Sequence, residues 1–223
     1  MRSLDDLYRH YDVDMAHARH VTALALRLFD AAQEFHGMPH SLRRLLELGA
    51  MLHNLGMSID PERHHIVGRD VLLESPIREL TDEERLMVAA MTFLHRKQMT
   101  SKKLKKKTVL AVPRKRRREV LNLAALLRIA DGLDYSQSQT TRIVETNVTP
   151  AVIEVVLEGP YAVQDVLRAE GKADLWNLLH PVRFYFRVGN PSSANHHPGP
   201  SGETTLARDD MHVLVPQPLH KPR

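Results

Sequence analysis

The sequence predicts a mainly helical domain, then a small β-β-α-β appendage and a disordered tail. Three observations carry this reading. Apolar residues recur at helical spacing, between recognisable cap signals, over roughly the first 135 residues. Between 142 and 188 the pattern changes to short runs of strand-forming residues around one further helical stretch. From Gly189 onward Asn, Pro, Ser, Gly and His dominate, a composition that buries too little apolar surface to order itself.

Each element has a local cause. Met15–Phe35 has helical periodicity and contains neither Pro nor Gly. Ser41 is placed to cap a second helix running to His53, and Gly56 supplies a stop. Asp60-Pro61 reads as an N-cap with Pro at the first helical position, opening a helix that Ser75-Pro76 ends. Thr81-Asp-Glu-Glu84 is a capping box for a helix through Leu94-His95. A last long helix runs from Arg114 to Leu133. Arg142–Val148 and Val152–Leu157 read as a hairpin, Tyr161–Leu179 as a helix and Val182–Val188 as a strand. The expected division is therefore a helical domain over 1–135, the appendage over 136–188 and the tail over 189–223.

The charge is unevenly spread. Lys and Arg number 31 against 27 Asp and Glu, a net of +4. Twelve of the cations, and no acid, lie between Arg96 and Arg118; the remainder is acidic, at −8. Uniform basicity, as in a protein that coats DNA, is excluded. The absence of cysteine excludes disulfides, thiolate metal sites and Cys nucleophiles. No apolar run approaches the roughly 20 residues that span a bilayer, and the N-terminus lacks the apolar core of a signal peptide, so a cytoplasmic address with no membrane partner is expected.

Polar residues stand where the helices should be apolar. At about 100° per residue, Val21, Leu24, Leu28, Ala31 and Phe35 fall within about 40° of His17, which is thus central to a buried stripe. His20 lies at its edge. His53 continues the apolar face of its helix, His95 that of Met87, Ala90, Met91 and Leu94, and Asp131 that of Val120, Leu123, Ala124 and Leu127. One inward histidine is ordinary, but an unpaired inward carboxylate is costly. Four helices each turning one such group inward fit a metal site, since neutral His and ionised Asp are ligands for Zn, Mn, Fe or Ni. Asp134 lies near the same face and reads as a helix-end cap, with a second ligand as the alternative. Trp176 is expected to pack the appendage helix onto the hairpin.

The order His17, His53-Asn54, Asp131 resembles the HD-domain metal-dependent phosphohydrolases, whose signature is a His, an adjacent His-Asp pair and a distal Asp. HARHVTALALRLFDAA (17–32), LLELGAMLHNLGMSID (45–60), ERHHIVGRDVLL (62–73), FLHRK (93–97) and LAALLRIADGLD (123–134) resemble the C-terminal HD-like domain of the exopolyphosphatase / guanosine pentaphosphate phosphatase family. The similarity runs from about residue 10 to 188. It implies an HD-type helical bundle with His17, His53, Asn54 and Asp131 at the metal-ligand positions. His64 or His65, together with His95, match the extra histidines that bind a second metal or the substrate phosphate. The implied chemistry is hydrolysis of phosphate esters or anhydrides by water activated on a divalent ion, one of Mn, Fe, Ni, Zn or Mg.

Asn54 departs from the pattern, because a neutral amide replaces an anionic ligand. A bridged two-metal centre is then not expected; a single ion on His17, His53, His95 and Asp131, or none, are the alternatives. In full-length members the reaction is assigned to N-terminal actin-like ATPase domains, for which these 223 residues have no room. Nucleotide-binding GxxxxGK[ST] and GxGxxG and the hydrolase motifs GxSxG and HExxH do not occur. The basic segment links the His95 and Asp131 helices and so is expected at the pocket mouth. Arg69, Arg96, Lys97, Lys102, Lys103 and Arg114 are the phosphate-binding candidates, the alternative being a solvated loop. The expected partner is a phosphate-rich small molecule or polyphosphate, ahead of nucleic acid, and a homodimer is left open. A non-catalytic module that binds polyphosphate or a nucleotide is the alternative function.

Overall fold

Ser3 and Asp6 cap each other reciprocally and start α1 (Leu4–His10), whose Leu7 is fully buried. The computed structural model describes residues 2–104 and 111–189. The cations Lys105, Lys106 and Lys107, and the expected tail beyond Gly189, lie outside the described residues. Asp14 caps α2 (Met15–Ala31) by accepting from the backbone N–H groups of Ala16 and His17, each at 3.0 Å. The stretch expected to continue to Phe35 breaks at Ala32 and resumes as α3 (Gln33–His36). There the His36 ring donates to the Phe29 carbonyl at 3.0 Å and accepts from the Met38 N–H, so a side chain competes with the helical backbone bonds.

Next come α4 (Leu42–Leu52), α5 (His64–Glu74) and α6 (Asp82–Leu94). Ser41 precedes α4 in helical backbone, but its side chain makes no cap bond. Asp60 accepts from the N–H groups of Glu62 and Arg63, yet this closes only a turn, and the helix itself begins at His64. The expected capping box of α6 forms between Thr81 and Glu84. After the short α7 (Ser101–Leu104), a 3₁₀ turn at Arg114–Arg116 leads into α8 (Arg117–Gly132). Helix α8 is buried along almost its whole length and runs against α2, α4 and α6. Phe29, Leu45, Leu46, Leu52, Met91, Leu123 and Leu127 fill the space between them.

Strands β1 (Arg142–Val148) and β2 (Val152–Glu158) pair antiparallel, with a bulge between Ile143 and Glu145. The chain then forms α9 (Ala162–Lys172) and α10 (Asp174–Leu179) and returns as β3 (Arg183–Val188), parallel to β2, in the order β1-β2-β3. The expected single helix over 161–179 divides at Ala173. There the Asp174 carboxylate accepts from Leu175 N–H and turns to Arg128 of α8. Trp176 stacks on His180 with ring centroids 4.0 Å apart, meets Phe184 edge-on and donates to the Val182 carbonyl.

The chain is thus mainly helical with a small three-stranded sheet, and the described residues fall within one compact unit, Met1–Pro191. Helices α8 and α9 cross closely because Gly132 has no side chain: a Cβ there would lie 2.7 Å from Ala169 Cα. Among the described residues, no helix is long and apolar enough to cross a membrane.

Candidate metal centre

Three elements bring three donor atoms together. His17 lies in the first turn of α2, His53 is the residue that ends α4, and Asp131 is in the last turn of α8. The two Nε2 atoms are 3.2 Å apart, and Asp131 Oδ1 lies 3.7 Å from His17 Nε2 and 3.6 Å from that of His53. A point equidistant from all three would lie about 2.0 Å from each, the length of a zinc–nitrogen or zinc–oxygen bond.

The far side of each ring sets its tautomer. His17 Nδ1 donates to Asp134 Oδ2 at 2.7 Å, and His53 Nδ1 donates to the Ala50 carbonyl at 2.6 Å. In the neutral rings both Nε2 atoms then carry lone pairs, which face one another and Asp131. Outer bonds of this kind prepare histidines for metal binding. Without an ion between them, one proton must serve both rings. Burial opposes that proton, but hydrogen bonds to Asp131 and Asp134 outweigh it and hold His17 up at about 9. For Asp131, burial favours the protonated acid, yet the Lys172 ammonium and the bonds to His17 and His53 keep it well below the usual carboxylate range.

A second imidazole pair adjoins the first. His64, at the start of α5, and His95, at the end of α6, face each other with Nε2 atoms 3.0 Å apart. The His53 and His95 rings meet edge-on at 5.2 Å, so the four histidines are continuous. His95 Nδ1 donates to the Thr92 carbonyl at 2.6 Å and His64 Nδ1 has the Pro61 carbonyl at 2.8 Å. Burial depresses both rings, His95 strongly. With those tautomers, two lone pairs oppose each other here too. The alternative for His64 is to accept at Nδ1 from Arg96, 3.3 Å away, and donate from Nε2 to His95.

His17, His64, His95 and Asp131 line one pocket of about 260 Å³, together with Asn54, Arg96, Asp134, Tyr135 and Lys172. Of the residues expected from sequence, His17, Asp131, His64, His95, Asn54 and Arg96 line it, while His53 is fully buried and meets His17 with Nε2 atoms 3.2 Å apart. His65 does not line this pocket: its ring packs on Phe93, burial lowers it to about 4, and its Nδ1 has no hydrogen-bond partner. Arg69 pairs with Asp70, lies over Phe93 and lines a separate groove. Lys97, Lys102 and Arg114 are exposed and Lys103 donates to the Gln98 carbonyl; none of these lines the pocket. Two further cations of the basic segment, Lys115 and Arg116, pair with Glu83. Asp134 works through His17, and Lys172 was not expected; its ammonium bonds Asp131 Oδ2. No local signal reveals Lys172, which approaches from 41 residues further along the chain.

A comparison with protein-family models matches residues 1–167 to a family described as Ppx/GppA phosphatase, domain III. Those residues include every group that lines the pocket except Lys172. The chain therefore belongs to the Ppx/GppA phosphatase family, through its domain III.

Proposed function

We propose that this protein is an HD-type, metal-dependent phosphohydrolase acting on polyphosphate or on a nucleotide phosphate, with turnover weakened by Asn54. The observation that carries the reading is the triangle of His17 Nε2, His53 Nε2 and Asp131 Oδ1, with sides of 3.2, 3.6 and 3.7 Å and both tautomers set from outside. These residues fit a divalent ion in donor type, spacing and charge. Bound there, such an ion supplies an activated water and neutralises phosphate charge.

The chain's own residues do the remaining work. Asp134 holds the His17 ring in place. Arg96 anchors the loop before α5 by donating to the carbonyls of Pro61 and Glu62 from Nη1, which leaves Nη2 to meet a phosphate oxygen. His64 and His95 present a pair of lone pairs that a shared proton or a cation satisfies. A position inside the cytoplasm suits this chemistry.

Metal analysis of purified protein, paired with phosphate release from polyphosphate and guanosine polyphosphates, tests the reading. One equivalent of Mn, Fe, Ni or Zn is expected, lost in His53→Ala and Asp131→Ala together with turnover. Protein that takes up no divalent ion and releases no phosphate sinks it. In that case the second reading, a non-catalytic module that binds polyphosphate or a nucleotide, stands; Asn54, a neutral group on the pocket wall, favours it.

A further inference from the structure

The β-α-β end of the chain contributes one residue to the pocket wall, and that residue is cationic. Lys172, the last residue of α9, directs its ammonium onto Asp131 Oδ2 while Asp131 Oδ1 faces the histidines. The approach is built from several directions. Gly132 allows α9 to lie against α8 at Ala169. Arg128, fully buried in α8, donates to the Lys172 carbonyl at 3.3 Å, to Asp174 at 2.6 and 3.0 Å and to the Leu94 carbonyl at 2.7 Å. Asp165, buried in α9, accepts from Ser136 N–H at 2.8 Å and from Thr141 Oγ1 at 2.5 Å, fastening the same helix to the loop after α8.

The Lys172 ammonium keeps donors beyond the one that Asp131 takes. It has three N–H donors, and its carboxylate partner is the single oxygen Oδ2. Its side chain stays 27% exposed, on the wall of the pocket that His17, His64 and His95 also line. Arg96 and Asn54 line the same pocket, so its wall carries a second cation and a neutral amide besides the Asp131 carboxylate.

We propose that Lys172 is a phosphate-binding residue of this pocket, held in place by Asp131 and competing with a divalent ion for that carboxylate. The ligand class is a phosphate anhydride or monoester with at least one terminal oxygen. Lys172 meets that oxygen with the donors that Asp131 leaves free. The competition for Asp131 rests on the metal reading above; the phosphate contact does not. The two functions pull in opposite directions, which separates them from a packing role. Removing the ammonium frees Asp131 for the ion and removes a ligand from the phosphate.

Calorimetric titration of the full chain with Mn²⁺, and separately of metal-stripped chain with pyrophosphate, tests this. Lys172→Met is expected to bind Mn²⁺ about tenfold more tightly and pyrophosphate about tenfold more weakly, the scale of one partly screened charge contact. Lys172→Arg is expected to keep pyrophosphate affinity within about threefold. Unchanged pyrophosphate affinity in Lys172→Met overturns the assignment, as does a wild type that does not bind pyrophosphate. A parallel loss of both affinities with a lowered melting temperature in both variants overturns it too, in favour of a packing role. If the wild type takes no Mn²⁺ while Lys172→Met still loses pyrophosphate, the phosphate role stands and the metal reading alone falls.

Discussion

His17 donates to Asp134 through Nδ1 at 2.7 Å, and this bond decides which nitrogen of His17 faces the pocket. Asp134 also accepts from the Gln139 N–H at 2.9 Å, so it is itself held from the loop beyond α8. Replacing it should leave all three donor atoms in the chain but release the ring that carries one of them. Asp134→Ala is expected to weaken Mn²⁺ binding about 10- to 100-fold, the usual cost of losing an outer partner of a metal-binding histidine. Titration calorimetry on the purified variant reads this directly. An unchanged affinity would show that His17 is oriented by packing alone.

Asn54 lines the pocket immediately after His53. Asn54→Asp keeps the size of the side chain and adds a negative charge to the wall of the pocket that His17 and Asp131 line. Tighter Mn²⁺ binding by at least tenfold is expected, with faster phosphate release from polyphosphate. Weaker binding in this variant contradicts the view that position 54 limits the site.

Arg128 and Asp174 form an ion pair in which Arg128 is only 2% exposed. Asp174→Ala strands a buried guanidinium and should destabilise the fold by about 3–5 kcal/mol. The double variant Arg128→Met with Asp174→Ala should recover much of that loss, because no charge is then left uncompensated. Urea unfolding of the two variants beside the wild type measures both. A double variant as unstable as the single one would mean that the Leu94 and Lys172 carbonyls, rather than the charge, need Arg128.

His180 lies buried on Trp176 and donates to Asn122 at 2.8 Å. Burial, then the nearby Arg118 and His36, lowers it to about 4. A histidine depressed in the folded state leaves stability intact above its unfolded value of about 6.5, and stability falls as the pH drops from there towards 4. At pH 5 the loss is about 2 kcal/mol from this residue. His180→Gln keeps a donor for Asn122 without a titrating group. Its urea midpoint should therefore change less between pH 7 and pH 5 than that of the wild type. Equal changes in the two proteins would assign the acid sensitivity to other histidines.

Much of this molecule is legible residue by residue. The capping box at Thr81, the apolar stripes and the alternation in β3 are local patterns, and local sterics and hydrogen bonding suffice to form them. The inward turn of His17, His53, His95 and Asp131 is legible for the same reason: each is read against the apolar face of its own helix. Helix ends are less legible. The breaks at Ala32 and Ala173 arise where the side chains of His36 and Asp174 take backbone or buried partners, and periodicity does not register such competition.

The sequence by itself determined the helical class, the small appendage and the set of polar groups turned into the core. Tertiary structure alone decided how those groups combine. His64 and His65 are neighbours about 100° apart on one helix, so packing selects which of them meets His95. Arg96 reaches the pocket while Lys115 and Arg116 turn to Glu83, because acidic partners on α6 compete for the same charge. Lys172 reaches Asp131 only because Gly132 and the Arg128–Asp174 pair draw α9 against α8. Pairings across such separations depend on how the helices pack, and no local pattern encodes them.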